Sequence, residues 1–332
     1  MSPVRRSPVR RRLVLGAAAT TLVAAPALWR PRTASAQATV TRLLVGFPAG
    51  GTIDVVARVL ADTMKDDLGG TLIVDSRPGA GGQIAAQALK QAAPDGRTLL
   101  LSPDHTMVML PLTVKTAGFQ PLADFEPVAQ VARYPGGLAV SPQVPAKTLE
   151  EFLAWAKANP AQANIGVPAP GSIPQFIVHR LARDSGAPLV SVPYRGSAPM
   201  VQELIGGQLT AGTTALGDFV EPHLAGRLRV IGVLGSRRSP ALPFVPTFAE
   251  QGLKLDWEYW LGLFAPKGTP GGEVERVRAA AARALGRADV RERLQKIVFE
   301  PAPGDGRQLE QLVRDGTALW EPVVRASGWV PQ

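Results

Sequence analysis

The sequence contains no cysteine and only three histidines among its 332 residues. The absence of cysteine excludes disulfide bonds, thiolate metal sites and a lipid-modified cysteine. The chain also lacks a G-x-S-x-G nucleophile motif, an H-E-x-x-H pair and a group of carboxylates at metal-ligand spacing. The sequence therefore indicates no assembled catalytic triad, no metal site and no cofactor.

The positive charge is concentrated at the start of the chain. The formal net charge is +9, but seven of the 36 basic side chains lie in residues 1–38, which contain no acidic residue. The remaining residues carry 29 basic against 27 acidic side chains and are close to neutral. A basic surface for nucleic acid is therefore not predicted.

The first 38 residues have the layout of an export signal. An arginine-rich start is followed by a 16-residue apolar run, Leu13–Leu28, and by small residues at 34–36. Arg11 and Arg12 before this run are typical of a twin-arginine signal, and the general secretory route stays open. A membrane anchor is the alternative, although a bilayer requires about 20 apolar residues. We predict cleavage near residues 36–38 and a periplasmic location.

The rest of the chain alternates short β-rich runs with helical periods, which predicts an α/β fold with βαβ units and parallel sheets. Two segments look like crossings between lobes, the RYPGG sequence at 133–137 and the proline-rich stretch at 239–247. The predicted strands are Thr41–Phe47, Thr71–Asp75, Thr98–Leu101, Gly137–Ser141, Ala163–Val167, Leu189–Tyr194, Arg229–Leu234 and Tyr259–Ala265.

The two crossings predict a division of the chain into two lobes. Lobe 1 is expected to comprise residues 39–136 and 235–332, and lobe 2 residues 137–234. In such a protein the ligand lies in the cleft between the lobes, at the carboxyl ends of strands where helix N-termini converge.

Two glycine-rich turns each follow a predicted strand and precede a predicted helix: Gly46–Asp54 (GFPAGGTID) and Arg77–Gln83 (RPGAGGQ). Thr52 stands where a phosphate-binding loop requires lysine, and Ile84 stands where a dinucleotide fingerprint requires a third small residue. Neither turn therefore predicts a nucleotide site. Each turn either presents backbone N–H groups to an anion at a helix N-terminus or only connects a strand tightly to a helix.

Two further strand-to-helix turns, Pro170–Pro174 and Val192–Pro199, each supply a helix N-terminus and a hydroxyl. Arg195 in the second turn either pairs with a carboxylate or holds the turn through backbone carbonyls. Among the histidines, only His105, which follows Asp104 after a predicted strand, is a candidate cleft residue.

Several segments occur in a characteristic order along the chain: GFPAGGTID at 46–54, DSRPGAGGQ at 75–83, APDGRTLLL at 93–101, DFEPV at 124–128, VPYRGSAP at 192–199, LIGGQ at 204–208, SPALPFVPTFAE at 239–250 and GLFAPKGTP at 262–270. Together they resemble the Bug family of exported solute receptors, the substrate-binding component of tripartite tricarboxylate transporters. The resemblance implies a type II periplasmic-binding-protein-like fold of two α/β lobes that closes on a small carboxylate. It implies a monomeric receptor and not an enzyme, with membrane transporter subunits as partners.

The resemblance also implies which residues hold the ligand. The first loop, the second loop and the opposing lobe contribute the positions that match the family pattern. Ser102, His105 and Asp218 are also expected to face the ligand, at positions where this chain departs from that pattern, so the resemblance leaves the particular ligand open. The other implied ligand-binding residues are Phe47, Ala49, Gly50, Gly51, Thr52, Asp54, Gly79, Ala80, Gly81, Gly82, Gly171, Ser172, Tyr194 and Arg195.

Two other functions stay open at this point. A receptor of this kind could dock on a membrane signalling partner instead of a transporter. An exported serine hydrolase would use Ser102 or Ser172 with His105, and it requires a serine–histidine hydrogen bond.

Overall fold

The computed structural model describes residues 39–253, 255 and 257–331, so the predicted export signal lies outside the described residues. Two mixed sheets, each flanked by helices, build two α/β lobes. The strands are β1 (Thr39–Val45), β2 (Gly70–Ser76), β3 (Thr98–Pro103), β4 (Phe125–Tyr134), β5 (Gly136–Val140), β6 (Asn164–Val167), β7 (Val190–Pro193), β8 (Ala211–Ala215), β9 (Arg229–Leu234), β10 (Tyr259–Pro266) and β11 (Glu300–Asp305). The helices are α1 (Thr52–Met64), α2 (Gln83–Lys90), α3 (Leu110–Thr113), α4 (Pro121–Asp124), α5 (Leu149–Ala158), α6 (Ile173–Ser185), α7 (Ser197–Gly206), α8 (Gly217–Leu224), α9 (Gly271–Gly286), α10 (Ala288–Lys296) and α11 (Gly306–Ala326).

The first sheet has the strand order β11-β4-β10-β3-β1-β2, and the second has the order β7-β6-β8-β5-β9. The βαβ units that the sequence predicts pair in parallel, as β1 does with β2 and β3. The sheets are not parallel throughout. Strand β10 runs antiparallel to β3 and β4, and β5 runs antiparallel to β8 and β9. The antiparallel pairs arise where the chain passes between the sheets.

The chain crosses between the sheets twice. Strand β4 of the first sheet ends at Tyr134 and β5 of the second sheet begins at Gly136, so one residue joins them. The chain returns between Leu234, the end of β9, and Tyr259, the start of β10. Tyr259 and Tyr134 are partners in the β10–β4 register, so the two crossing strands lie side by side.

The core follows from the burial of these strands on both faces. All eight residues of β10 are buried, and so are five of the six residues of β3. Helix α1 covers the first sheet with Val56, Val59 and Leu60, which are spaced at helical intervals and fully buried. Such near-continuous apolar strands are typical of sheets that carry helices on both faces.

Three strands are absent from the sequence prediction: β4, β8 and β11. Strand β11 reads EPAPGD, a composition that does not indicate a strand. The prolines are tolerated because β11 is an edge strand, and a proline there does not remove a hydrogen bond between two central strands. The pairing of β11 with β4 is also irregular between Pro301 and Gly304. The first predicted strand also ends earlier than expected, at Val45, which leaves Phe47 in a loop.

Candidate functional site

A cavity of about 480 Å³ lies between the two lobes. It opens at the carboxyl ends of β1, β3, β6, β7 and β8, where the sequence places the cleft. Its size is typical of a site for a small organic ligand. It is lined by Phe47, Pro48, Ala49, Gly50, Gly51, Thr52, Ile53, Pro103, Asp104, His105, Tyr134, Pro168, Ala169, Ser172, Ile173, Pro174, Arg195, Gly196, Ser197, Ala198, Pro199, Thr214, Ala215, Asp218, Tyr259 and Phe299.

Three helices begin at this cavity: α1, α6 and α7. Their N-cap residues are Gly51, Ser172 and Gly196, and none of the three forms a side-chain hydrogen bond to the first turn. The Ser172 hydroxyl instead donates to the Ala169 carbonyl at 2.7 Å. The first N–H groups of an uncapped helix carry partial positive charge and lack partners within the helix. The cavity is therefore suited to an anion.

The first loop, residues 46–51, is held in place from behind by Asp54. Its carboxylate accepts hydrogen bonds from the Gly50 N–H at 2.9 Å, from Arg58 Nε at 2.7 Å and from the Ser76 hydroxyl at 3.2 Å. Although burial opposes ionisation, these bonds lower the pKa of Asp54. Asp54 does not line the cavity; it fixes the loop that does.

The second loop packs behind the first and does not line the cavity. A Cβ added to Gly46 would lie 2.5 Å from the Gly82 Cα, so the two loops touch backbone to backbone. The Gly81 carbonyl accepts a hydrogen bond from the Thr106 hydroxyl at 2.8 Å, and Gly81 lies against the His105 ring. Four predicted ligand-binding residues therefore do not line the cavity and instead contact residues that do or that lie next to them: Gly79, Ala80, Gly81 and Gly82.

The buried end of the cavity contains Asp104 and His105. Asp104 is 1% exposed; its Oδ2 accepts from Trp257 Nε1 at 2.9 Å, and its Oδ1 accepts from the His105 N–H at 2.8 Å. Burial raises the pKa of Asp104 to about 7, although both bonds favour the ionised form. Burial lowers the pKa of His105 to about 4, so its ring is neutral at pH 7. Neither ring nitrogen has a hydrogen-bond partner among the described residues.

Three aromatic side chains form a wall beside these two residues. The Tyr134 ring stacks on Phe299 with centroids 4.2 Å apart and lies 5.3 Å from the Tyr259 ring. The Tyr259 hydroxyl is buried and has no partner in the described part of the chain. Burial raises the pKa of both tyrosines well above the usual value, and the Asp104 carboxylate adds to the effect.

The second lobe contributes Arg195 and Asp218 to the lining. Arg195 is exposed at the opening, and its guanidinium makes no hydrogen bond to a described residue, backbone carbonyls included. Burial raises the pKa of Asp218, while the hydroxyls of Ser197 and Thr214 oppose the shift. Thr214 donates to Asp218 Oδ2 at 3.1 Å. The two carboxyl groups and one guanidinium are the charged side chains that line the cavity.

The remaining predicted residues lie outside the lining. The Tyr194 hydroxyl donates to Glu203, and Gly171 packs against Thr113 of the first lobe. Ser102 is buried in β3 and donates a long bond of 3.4 Å to the Pro103 carbonyl. Neither Ser102 nor Ser172 is hydrogen-bonded to His105, so the described residues do not form the pair that the hydrolase alternative requires.

Sequence reasoning missed the aromatic wall and the role of Trp257. Tyr134 and Tyr259 stand at the two places where the chain crosses between the sheets, so the crossings themselves were the available signal. Phe299 directly precedes β11, a strand that the sequence does not indicate. Asp104 was visible as a polar residue directly after a buried strand.

No helix in the described ranges is both long enough and apolar enough to span a bilayer. No group of three or more histidine, aspartate or glutamate side chains there is placed to hold a metal ion.

A family model described as the tripartite tricarboxylate transporter family receptor matches residues 56–329. BugT of Bordetella pertussis is 32% identical over 289 residues, which cover 86% of this chain and 89% of BugT.

Two solved structures have the same fold. R. palustris Rpa4515, solved with adipate, has a TM-score of 0.82 at 30% identity and covers 88% of this chain and 98% of its own. MatC of Rhodopseudomonas palustris, solved with bound malate, has a TM-score of 0.78 at 32% identity and covers 86% of this chain and 98% of its own.

Proposed function

Because the chain belongs to the tripartite tricarboxylate transporter receptor family, we propose that it captures a small carboxylate between its lobes and delivers it to the membrane subunits of such a transporter. The relatives solved with adipate and malate support a carboxylate as the ligand class.

One observation carries the proposal: three uncapped helix N-termini border a single cavity. Each N-terminus stabilises a nearby anion by about 0.3–1 kcal/mol when exposed, and by more when partly buried. Hydrogen bonds to a charged ligand add about 1.5–3 kcal/mol each. A carboxylate would supply the acceptors that the cap residues do not.

Capture is proposed to occur by closure of lobe 1, residues 39–136 and 235–332, onto lobe 2, residues 137–234. The first loop follows β1 of the first sheet, the 195–199 turn follows β7 of the second sheet, and both line the same cavity. A ligand that binds both is stabilised most when the lobes approach each other, which is the usual basis of hinge closure. The contacting residues are proposed to be those of the predicted set that line the cavity: Phe47, Ala49, Gly50, Gly51, Thr52, His105, Ser172, Arg195 and Asp218.

Export to the periplasm is part of the same proposal. Its support is the signal-like pattern of residues 1–38 together with the family of the chain. N-terminal sequencing of protein isolated from the source cell should give a chain that starts at Gln37 or Thr39. A first residue ahead of Leu13 would contradict processing of this segment.

The experiment that tests ligand capture is thermal unfolding of the purified protein with mono-, di- and tricarboxylates, acidic amino acids and aromatic acids. A ligand at about 100 times its Kd adds about 2.7 kcal/mol to the free energy of unfolding. For a protein of this size the shift in Tm is several degrees. A selective shift with the acid recovered intact is the expected result. No shift with any acid, or recovery of an altered acid, would contradict the proposal.

A further inference from the structure

The two ends of the cavity differ in burial and charge. At the outer end, Ala49, Gly50 and Gly51 of the first loop and Arg195 of the opposing turn are exposed. At the inner end, Asp104, Tyr134, Tyr259, Phe299 and Thr214 are buried. The cation of the lining therefore stands at the opening. Asp104 is buried at the inner end, and half-buried Asp218 accepts hydrogen bonds from the hydroxyls of buried Thr214 and of Ser197.

The inner end has unused hydrogen-bonding groups. The Tyr259 hydroxyl is buried without a partner among the described residues. Both nitrogens of the His105 ring are buried as well, but Nε2 lies against Gly81 of the second loop. The acceptors of the inner end are therefore the Asp104 and Asp218 carboxylates. A hydroxyl both donates and accepts, so one ligand hydroxyl could donate to a carboxylate and accept from the Tyr259 O–H.

A second carboxylate at the inner end would be unfavourable. It would meet two carboxyl groups in a water-poor wall that holds no lysine or arginine among the described residues. An unpaired buried charge is strongly unfavourable, and repulsion between like charges at close range adds to its cost. The apolar and aromatic wall, in contrast, suits an uncharged body.

Building on the proposed function, we infer that the ligand has one carboxylate, held at the outer end, and an uncharged body that ends in a hydroxyl at the inner end. The chain is then a receptor for hydroxylated monocarboxylic acids, and it discriminates against dicarboxylates of the same length. This separates it from the relatives solved with adipate and malate.

The test compares matched pairs by titration calorimetry at pH 8. One pair is 6-hydroxyhexanoate and adipate; the other is 4-hydroxybenzoate and terephthalate. In at least one pair we expect the hydroxy acid to bind at least tenfold more tightly. A diacid that binds as tightly as its hydroxy partner in both pairs, or binding of dicarboxylates alone, would overturn the inference and leave the proposed function standing. Binding of no acid at all would remove both.

A variant links the discrimination to the inner end. Asp104→Asn removes the charge and keeps a side-chain oxygen for Trp257 Nε1. We expect it to raise the affinity for the diacid relative to the hydroxy acid at least threefold. The matched control, Asp289→Asn on the exposed surface of α10, should leave the ratio unchanged. If Asp104→Asn does not fold, Asp218→Asn is measured in its place. An unchanged ratio in a folded variant would refute the inference.

Discussion

The two glycine-rich loops of the first lobe are similar in sequence but have different positions in the structure. Both follow a parallel strand and precede a helix. The first, residues 46–51, is exposed and lines the cavity, whereas the second, residues 77–82, packs behind it. Gly50 and Gly51 of the first loop leave the start of α1 open to the cavity, and Gly82 of the second loop allows close contact between backbones. One residue type therefore serves access in one loop and packing in the other.

The largest expected effect comes from breaking the packing of the second loop. Gly82 has a φ of +96°, and a Cβ there would lie 2.5 Å from the Thr106 hydroxyl. Gly82→Ala should lower the free energy of unfolding by about 3 kcal/mol, because left-handed backbone and overpacking each contribute. Urea denaturation measures the change.

The control for that variant is Gly50→Ala in the first loop. Gly50 also has a positive φ, +81°, but its Cβ would meet no atom within 4 Å. Gly50→Ala should lower the free energy of unfolding by only about 1–2 kcal/mol, because only the left-handed backbone conformation opposes the new side chain. Equal losses at the two positions would show that packing of the second loop contributes nothing.

The second loop also has an expected pH signature, because Gly81 covers His105. The pKa of His105 is about 4 in the folded protein and about 6.5 in the unfolded chain, so His105 lowers the free energy of unfolding as the pH falls below about 6.5. The pKa of Asp104 is about 7 in the folded protein, so Asp104 lowers the free energy of unfolding as the pH rises from about 4 to 7. The two contributions oppose each other over most of this range.

Asp104→Asn should therefore uncover the contribution of His105. The stability of the variant relative to the original chain should rise with pH between about 4 and 7, by up to about 1.4 kcal/mol per pH unit. Denaturant titrations at four pH values measure this difference. Parallel stability curves for the two proteins would show that Asp104 titrates as it does in the unfolded chain.

Blocking the first loop should affect binding and leave stability nearly intact. Gly51 has an ordinary φ of −72° and an added Cβ would approach only the Pro48 carbonyl, at 3.2 Å. Gly51→Val should weaken binding of the acid at least tenfold by covering the N–H groups at the start of α1. Calorimetry with the best acid of the panel measures it. Gly271→Val, at the open start of α9, is the control and should bind normally. Unchanged affinity in Gly51→Val would remove the first loop from the site.

The smallest expected effect concerns the side chain that faces the first loop from the opposing lobe. Arg195→Gln should weaken acid binding by about 1.4-fold to fivefold, because an exposed ion pair contributes about 0.2–1 kcal/mol. The loss should shrink in high salt. Arg227→Gln, whose arginine pairs with Glu221 on the surface, should have no effect on binding. A loss of the same size in both variants would indicate a general effect of net charge instead of a contact with the ligand.

The parts of the molecule that depend on local chemistry can be predicted from the amino-acid sequence. Apolar runs and helical periods predict the βαβ units, and the glycine and proline turns place helix N-termini at strand ends, where the cavity lies. The RYPGG segment predicts the crossing that the structure shows between Tyr134 and Gly136. These features follow from backbone geometry within a few residues, so they can be read from a single chain.

Which residues face the cavity depends on tertiary contacts. The second loop, Tyr194 and Asp54 carry the residue types of a binding site, yet contacts with Gly46, Glu203 and Arg58 turn them away from it. Tyr134 and Tyr259 meet because the crossing strands pair positions more than 100 residues apart, and Phe299 joins them because β11, which follows it, pairs with β4. Their common position depends on which strands pair across the sheet, and local sequence does not specify that pairing.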